Sequence, residues 1–165
     1  MEELNQRTMI TFREQDTKFT FRVAGIVIHN ERVLFQHSDG PDLFWFLPGG
    51  RAELGETTEQ TLIREMREEL STEIHIERLL YAVENLFIHE NISHHEIGFY
   101  FLMTLPDASP LAGQSEHFFW KGEEETLQWS WLPIAQLPDL PIYPQFLRTA
   151  LQKLPDSTLH VINTD

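Results

Sequence analysis

The sequence predicts an α/β protein, a mixed sheet with helices on both faces, and three observations carry that expectation. Short runs rich in β-branched and aromatic residues, bounded by turn residues, recur along most of the chain. Near the middle the apolar spacing changes to a helical one, and a second helical face follows near the C-terminus. Strands, one central helix, more strands and a C-terminal helix suit a sheet covered on both sides.

The first strand is expected over residues 19–28, FTFRVAGIVI, and a second over 32–36, with His29-Asn30-Glu31 turning one into the other as a hairpin. Arg22 interrupts the apolar run. A buried arginine needs a partner, either a structural carboxylate or a substrate. Residues 38–42 are rich in turn formers, and 43–47 bring Phe44, Trp45 and Phe46 up to the bend Leu47-Pro48-Gly49-Gly50. Rings in that place either stack on a base or pack in the core. Two consecutive glycines permit unusual dihedrals and close approach of a ligand.

Residues 50–72, GRAELGETTEQTLIREMREELST, hold the central helix. Thr57 and Gln60 have the spacing of a capping box. Leu62, Ile63, Met66 and Leu70 fall on one side when each residue turns about 100°. Glu65, Glu68 and Glu69 stand at i, i+3 and i+4, so three carboxylates share a stripe beside the apolar one. Like charges crowd there, two of them in the last turn, where the macrodipole disfavours each by about 0.3–1 kcal/mol. Helix stability does not account for the stripe. A hard divalent cation does; the plainer alternative is a solvated face on which Arg64 pairs Glu68.

After the helix, residues 72–88 have room for one or two strands, 90–93 read as a connection, and 95–104 as a strand. His94-His95-Glu96 offers a metal or acid-base cluster, but His95 and Glu96, being adjacent, point to opposite faces of a regular strand and do not share a site. Glu96 is either an extra metal ligand or part of a solvated strand-end pair, and His95 is a candidate general base. A zinc site is not expected, because no histidine pairs recur at helical or finger spacing. Residues 105–128 are rich in proline, glycine and charge and read as a long loop of the kind used for lids or interfaces. Trp129-Ser130-Trp131 suggests a short strand. Tyr143-Pro144 is expected to open a helix through Lys153, with Phe146, Leu147, Ala150, Leu151 and Leu154 inward, and 159–162 an edge strand.

At 165 residues the chain is most simply one domain, 1–165, large enough to bury a core. It has no cysteine, which excludes disulfides and thiolate metal sites and fits a reducing cytosol. Residues 1–6 lack the pattern of a signal peptide, and no uncharged apolar run approaches a membrane span, so a soluble, cytoplasmic protein without a membrane partner is expected. The net charge of −14 argues against binding long nucleic acid. It also repels phosphates, so a phosphorylated substrate needs a metal ion and placed arginines.

The stretch 50–72 resembles the signature of the Nudix hydrolases, G-x5-E-x7-R-E-U-x-E-E-x-G-U, with U a bulky aliphatic residue. Gly50, Glu56, Arg64, Glu65, Met66, Glu68 and Glu69 fall in register, while Ser71 stands for the helix-ending glycine and Thr72 for the aliphatic residue. The looser similarity runs from about residue 19 to 153 and includes 131–137, which resembles the strand-to-helix junction of that family. The resemblance implies a Nudix α/β/α sandwich and hydrolysis of a nucleoside diphosphate linked to another group, by attack of water on the pyrophosphate. It implies Mg²⁺, with Mn²⁺ as a substitute, held by the Gly49 carbonyl, Glu65, Glu68 and Glu69. Catalytic roles fall to Glu65 or another carboxylate as base, Glu68 on the charge, Arg64 orienting a glutamate and Glu56 supporting the set. Substrate contacts are expected from Arg22, Phe44, Arg51 and Glu96. The partner is a small nucleotide, and a homodimer is compatible with the family. The strand 19–28, Val83-Glu84-Asn85 and the strand around 95–101 look most like bacterial members labelled ADP-ribose pyrophosphatases; oxidised nucleoside triphosphates and RNA 5′ ends are rival substrates. A non-catalytic nucleotide sensor of the same fold is the alternative of another class. A sensor is free to lose glutamates, and none is missing.

Overall fold

The computed structural model describes residues 6–165; residues 1–5, part of the segment read as lacking a signal peptide, lie outside the described residues. The elements in chain order are β1 (Thr11–Glu14), β2 (Thr17–Ile26), β3 (Ile28–His29), β4 (Arg32–His37), β5 (Trp45–Phe46), β6 (Gly49–Arg51), α1 (Thr58–Leu70), β7 (His75–His89), β8 (Ile92–Thr104), β9 (His117–Lys121), β10 (Thr126–Pro133), α2 (Leu147–Ala150) and β11 (Leu159–Thr164).

The strands form two sheets. One runs β1-β2-β8-β7-β11, with β6 added to β2, and is mixed: β2–β8 and β7–β11 are parallel. The other runs β3-β4-β10-β9, with β5 added to β4, and is antiparallel. The expected hairpin of 19–28 with 32–36 is therefore only partly formed. The chain leaves the mixed sheet at Val27, and Ile28 and His29 alone pair with β4, closed by Asn30 and Glu31, both at positive φ. The apolar run 23–28 hides such a switch, because its residues are largely buried whichever sheet they join. The same two-residue turn chemistry, at Glu90 and Asn91, closes the long β7–β8 hairpin.

Alternate residues of both sheets face two cores. Val23, Leu34, Trp129 and Trp131 pack with Leu62, Met66 and Leu70 of α1. Ala24, Ile26, Phe35, Tyr81, Val83 and Tyr100 pack with Leu147 and Leu151 around α2. Helices thus cover opposite faces, the mixed α/β arrangement expected. Fully burying each of Leu62, Met66 and Leu70 is worth about 1.5–3 kcal/mol, so α1 is held by its packing and not by its length.

Two expectations are corrected. The C-terminal helix shrinks to Leu147–Ala150, flanked by turns. Its apolar face is as read, but Phe146 offers no side-chain cap to hold a longer helix. The stretch 105–128 is not one loop: it holds a 3-10 turn, Pro110–Gly113, and strand β9, which pairs along β10 in register. In β9, Phe118 is buried and Phe119 exposed, and the charged residues around that alternation mask it in the sequence.

Candidate active site

The site forms where β6 runs into α1. Gly49 has φ +151° and lies against the β2 backbone, where a Cβ would strike the carbonyl of Val23. At Gly50 a Cβ would land on the Glu65 carboxylate. Only glycine lets this strand pass between β2 and the helix. α1 then starts on a capping box: Gln60 N–H donates to Thr57 Oγ1 at 3.1 Å, and Thr57 N–H to Gln60 Oε1 at 2.9 Å.

Arg64 gathers the carboxylates. Its Nε lies 3.0 and 3.1 Å from the two oxygens of Glu56, its Nη1 donates to Glu65 Oε1 at 2.7 Å and reaches Glu68 Oε2 at 3.4 Å, and its Nη2 donates to the Arg51 carbonyl at 3.1 Å. Burial works against its charge, but the hydrogen bonds to Glu56 and Glu65 outweigh that and raise its pKa. Glu65 is itself buried.

Glu69 differs from these. Its Oε2 is fully buried and has no hydrogen-bond partner. The carboxylate accepts a hydrogen bond from the Gly49 N–H and feels Arg22, yet burial first and the charge of Glu65 second push its pKa up to about 8. An orphaned carboxylate oxygen beside a glycine bend has the donor chemistry of a hard-cation site. Among the described residues no three acidic or histidine side chains already converge as a ligand set, because Arg64 holds Glu65 and Glu68 and Arg7 holds Glu68 from the other side.

Arg7 and Glu53 escaped the sequence reading. Residues 8–10 run beside 52–54, with Leu54 N–H donating to the Thr8 carbonyl at 2.9 Å and Ile10 N–H to the Ala52 carbonyl at 2.8 Å. Arg7 thereby donates to Glu53 Oε1 and to Glu68 Oε1, each at 2.8 Å. The Arg7 hydrogen bond holds the buried Glu53 below its ordinary pKa. Glu53, three residues before Glu56, was visible as one more acid near the signature; nothing local announces Arg7.

The far end of α1 is closed by β9–β10. Ser71 adopts the left-handed conformation, φ 49° and ψ 37°, its N–H donating to the Arg67 carbonyl at 3.0 Å. The Glu68 carbonyl accepts from the Glu123 N–H and the Leu70 carbonyl from Trp120 Nε1, both at 2.8 Å. Gly122 sits so close that a Cβ would meet the carbonyl oxygens of Glu68 and Glu69.

Of the remaining candidates, Arg22 donates to the Leu47 carbonyl at 2.9 Å and lies 5.7 Å over the Phe46 ring. Phe44 is half-buried between Phe46, Tyr143 and His89 at 5.7–6.0 Å, while Trp45 belongs to the core. Arg51 is exposed. Glu96 stands apart from the carboxylate group, accepting from Asn85 at 3.3 Å, and Asn85 in turn accepts from Asn163 at 2.8 Å. His95 lies on the opposite face, edge-on to Phe19.

A family model for the NUDIX domain matches residues 19–154. The chain belongs to the Nudix family. It is 32% identical over 108 residues to a putative mutator protein MutT4 of Mycobacterium tuberculosis, covering 66% of this chain and 40% of that protein, so it spans well under half the length of that relative. Among solved structures it is similar to a MutT Nudix hydrolase of Burkholderia pseudomallei, with TM-score 0.59, 23% identity and coverage of 83% of this chain and 98% of the other. It is also similar to an ADP-ribose pyrophosphatase of Streptococcus suis, with TM-score 0.57, 13% identity and coverage of 87% and 98%. At these identities the structural likenesses speak for the Nudix fold alone. No helix of the described residues is long and apolar enough to cross a membrane.

Proposed function

We propose that the chain is a Mg²⁺-dependent hydrolase that cleaves the pyrophosphate bond of a nucleoside diphosphate linked to another group. The observation that carries this is the unpaired, buried Oε2 of Glu69, on a carboxylate that burial and Glu65 keep reluctant to ionise without a cation. The Gly49 carbonyl, Glu65, Glu68 and Glu69 are the residues assigned to hold the ion. Bound there, it supplies charge neutralisation of the pyrophosphate and acidifies the attacking water.

The rest of the chemistry falls to the chain. Arg64, fixed by Glu56 and the Arg51 carbonyl, orients Glu65 and Glu68. Glu65, held through Oε1, either completes that ligand set or instead accepts the proton from water. Arg22 receives phosphate charge beside Glu69. Phe44 and Phe46 form a wall on which a base or second ring stacks. Glu96, an acceptor fixed by Asn85, takes a donor edge of the bound group. The complete acid set weighs against a sensor without turnover.

The test is a panel of nucleoside diphosphate conjugates and triphosphates assayed with Mg²⁺ or Mn²⁺, with products identified. Turnover that stops on chelation supports the reading. Undiminished turnover in chelator overturns it.

A further inference from the structure

A second crowding of like charge lies on the mixed sheet, between Arg13 and Lys18, with the His94 imidazole beside them. Arg13 on β1 stands directly opposite Lys18 on β2, and Lys18 directly beside His94 on β8, so three basic side chains form one row across adjacent strands. Like charges directly opposite in a sheet are destabilising. The chain has only 12 lysines and arginines against 26 acids, and among the described residues only three of these, Arg7, Arg64 and Arg67, pair with a carboxylate. Among the described residues neither Arg13 nor Lys18 does; Arg13 donates to the Gln15 carbonyl at 2.9 Å.

The row lines a cavity of about 410 Å³ whose walls also include His89, Phe12 and Glu90. Glu90 is the one acid in the lining, mostly exposed and 3.9 Å from His89. His94 is fixed flat on Phe87, 4.6 Å between centroids and 4° between planes, so its edge is presented rigidly. Burial disfavours its protonation most, Glu96 then favours it, and the charges of Lys18 and His89 work against it to a lesser extent.

The cavity lies along the same strand as Arg22. Lys18 and Arg22 share a face of β2 four residues apart, roughly 13 Å along the strand. The Phe44 ring lies 6.0 Å from Phe46, which stacks with Arg22, and 5.9 Å from His89, which lines the cavity. That spacing suits a substrate with its pyrophosphate at Arg22 and a second anion at its far end.

We propose that this cavity is an anion subsite, in which Arg13, Lys18 and His94 bind a phosphate monoester or carboxylate carried by the substrate away from the scissile bond. The proposal rests on the pyrophosphatase reading for its placement along a substrate, but the subsite stands or falls separately.

Two measurements test it. The imidazole NMR signals of His94 and His89 are followed during titration with inorganic phosphate, in chelator and at constant ionic strength, for the wild type, Lys18→Gln, Arg13→Gln and Lys18→Arg. Saturable shifts are expected, weakened about tenfold in the glutamine variants and restored in Lys18→Arg. Hydrolysis of NADP⁺ and NAD⁺, which differ by one phosphate monoester, is then compared with Mg²⁺. A wild-type preference for NADP⁺ in kcat/KM that shrinks about tenfold in Lys18→Gln places the substrate's own phosphate in the cavity. Phosphate binding without any preference between the dinucleotides rejects the substrate as the source and leaves a free anion. Phosphate binding without hydrolysis of any member of the nucleotide panel overturns the pyrophosphatase reading and not the subsite. Histidine signals that do not move, or that move equally in the glutamine variants, overturn the subsite.

Discussion

The two ends of α1 are closed in different ways. At the N-terminus, Thr57 and Gln60 exchange hydrogen bonds three residues apart, and the helix start needs nothing else in the molecule. At the C-terminus the last carbonyls are met by Glu123 and Trp120, some fifty residues further on, and Ser71 is held left-handed with its hydroxyl 3.4 Å from the Lys121 carbonyl. The proposed metal ligands Glu68 and Glu69 stand at the second end. A carboxylate cluster that opposes the macrodipole and its own neighbours is thus anchored by tertiary contacts, while the unburdened end is left to local sequence.

The largest effect tests what the second end is for. Glu69→Gln is expected to lower kcat about a hundredfold or more, with the fold intact by circular dichroism. A near-normal rate would remove Glu69 from the metal set.

The next concerns pH. Glu69 titrates near 8 when folded against an ordinary value of 4.5, so folding favours its neutral form. Its contribution to stability is complete below pH 4.5 and is lost as pH rises through about 8. In chelator, the melting temperature of wild type relative to Glu69→Gln should fall across that window, and Mg²⁺ should reverse the fall at pH 8. A wild-type and variant difference that is flat with pH contradicts the buried, unpaired carboxylate.

Gly122→Ala breaks the clasp itself. Because a Cβ there meets the Glu68 and Glu69 carbonyls, the hairpin or the last helical turn must shift. A loss of about 1–3 kcal/mol in denaturant melts is expected, with a higher Mg²⁺ concentration needed for half-maximal activity. Thr57→Ala, at the other end, should cost about 1 kcal/mol and leave the metal dependence alone. If both variants alter metal dependence equally, the two ends are not energetically separate.

The smallest effect is at Ser71. A non-glycine residue at φ 49° carries strain on the order of 1 kcal/mol, and its exposed hydroxyl bond is long. Ser71→Gly should raise the melting temperature slightly without changing kcat. A lower midpoint would show that glycine's unfolded-state entropy outweighs the relief.

The capping box, the buried positions Leu62, Met66 and Leu70 and the stripe of Glu65, Glu68 and Glu69 were legible in the sequence because each depends on residues within one or two helical turns; Ile63, expected inward with them, is only half-buried and joins neither core. So was the opposition of His95 and Glu96, which follows from the pleat. The sequence by itself thus determined where the helix starts, which side it buries and where its acids gather, since backbone periodicity is a local property. Only the tertiary structure decided that the chain changes sheets at Val27, that β9 emerges from 105–128 to close the helix, and that the C-terminal helix stops after one turn. It alone brought Arg7 to Glu53 across forty-six residues, and aligned Arg13, Lys18 and His94 across three strands. Register and long-range charge pairing arise when whole elements compete for burial, and no window of neighbouring residues records that competition.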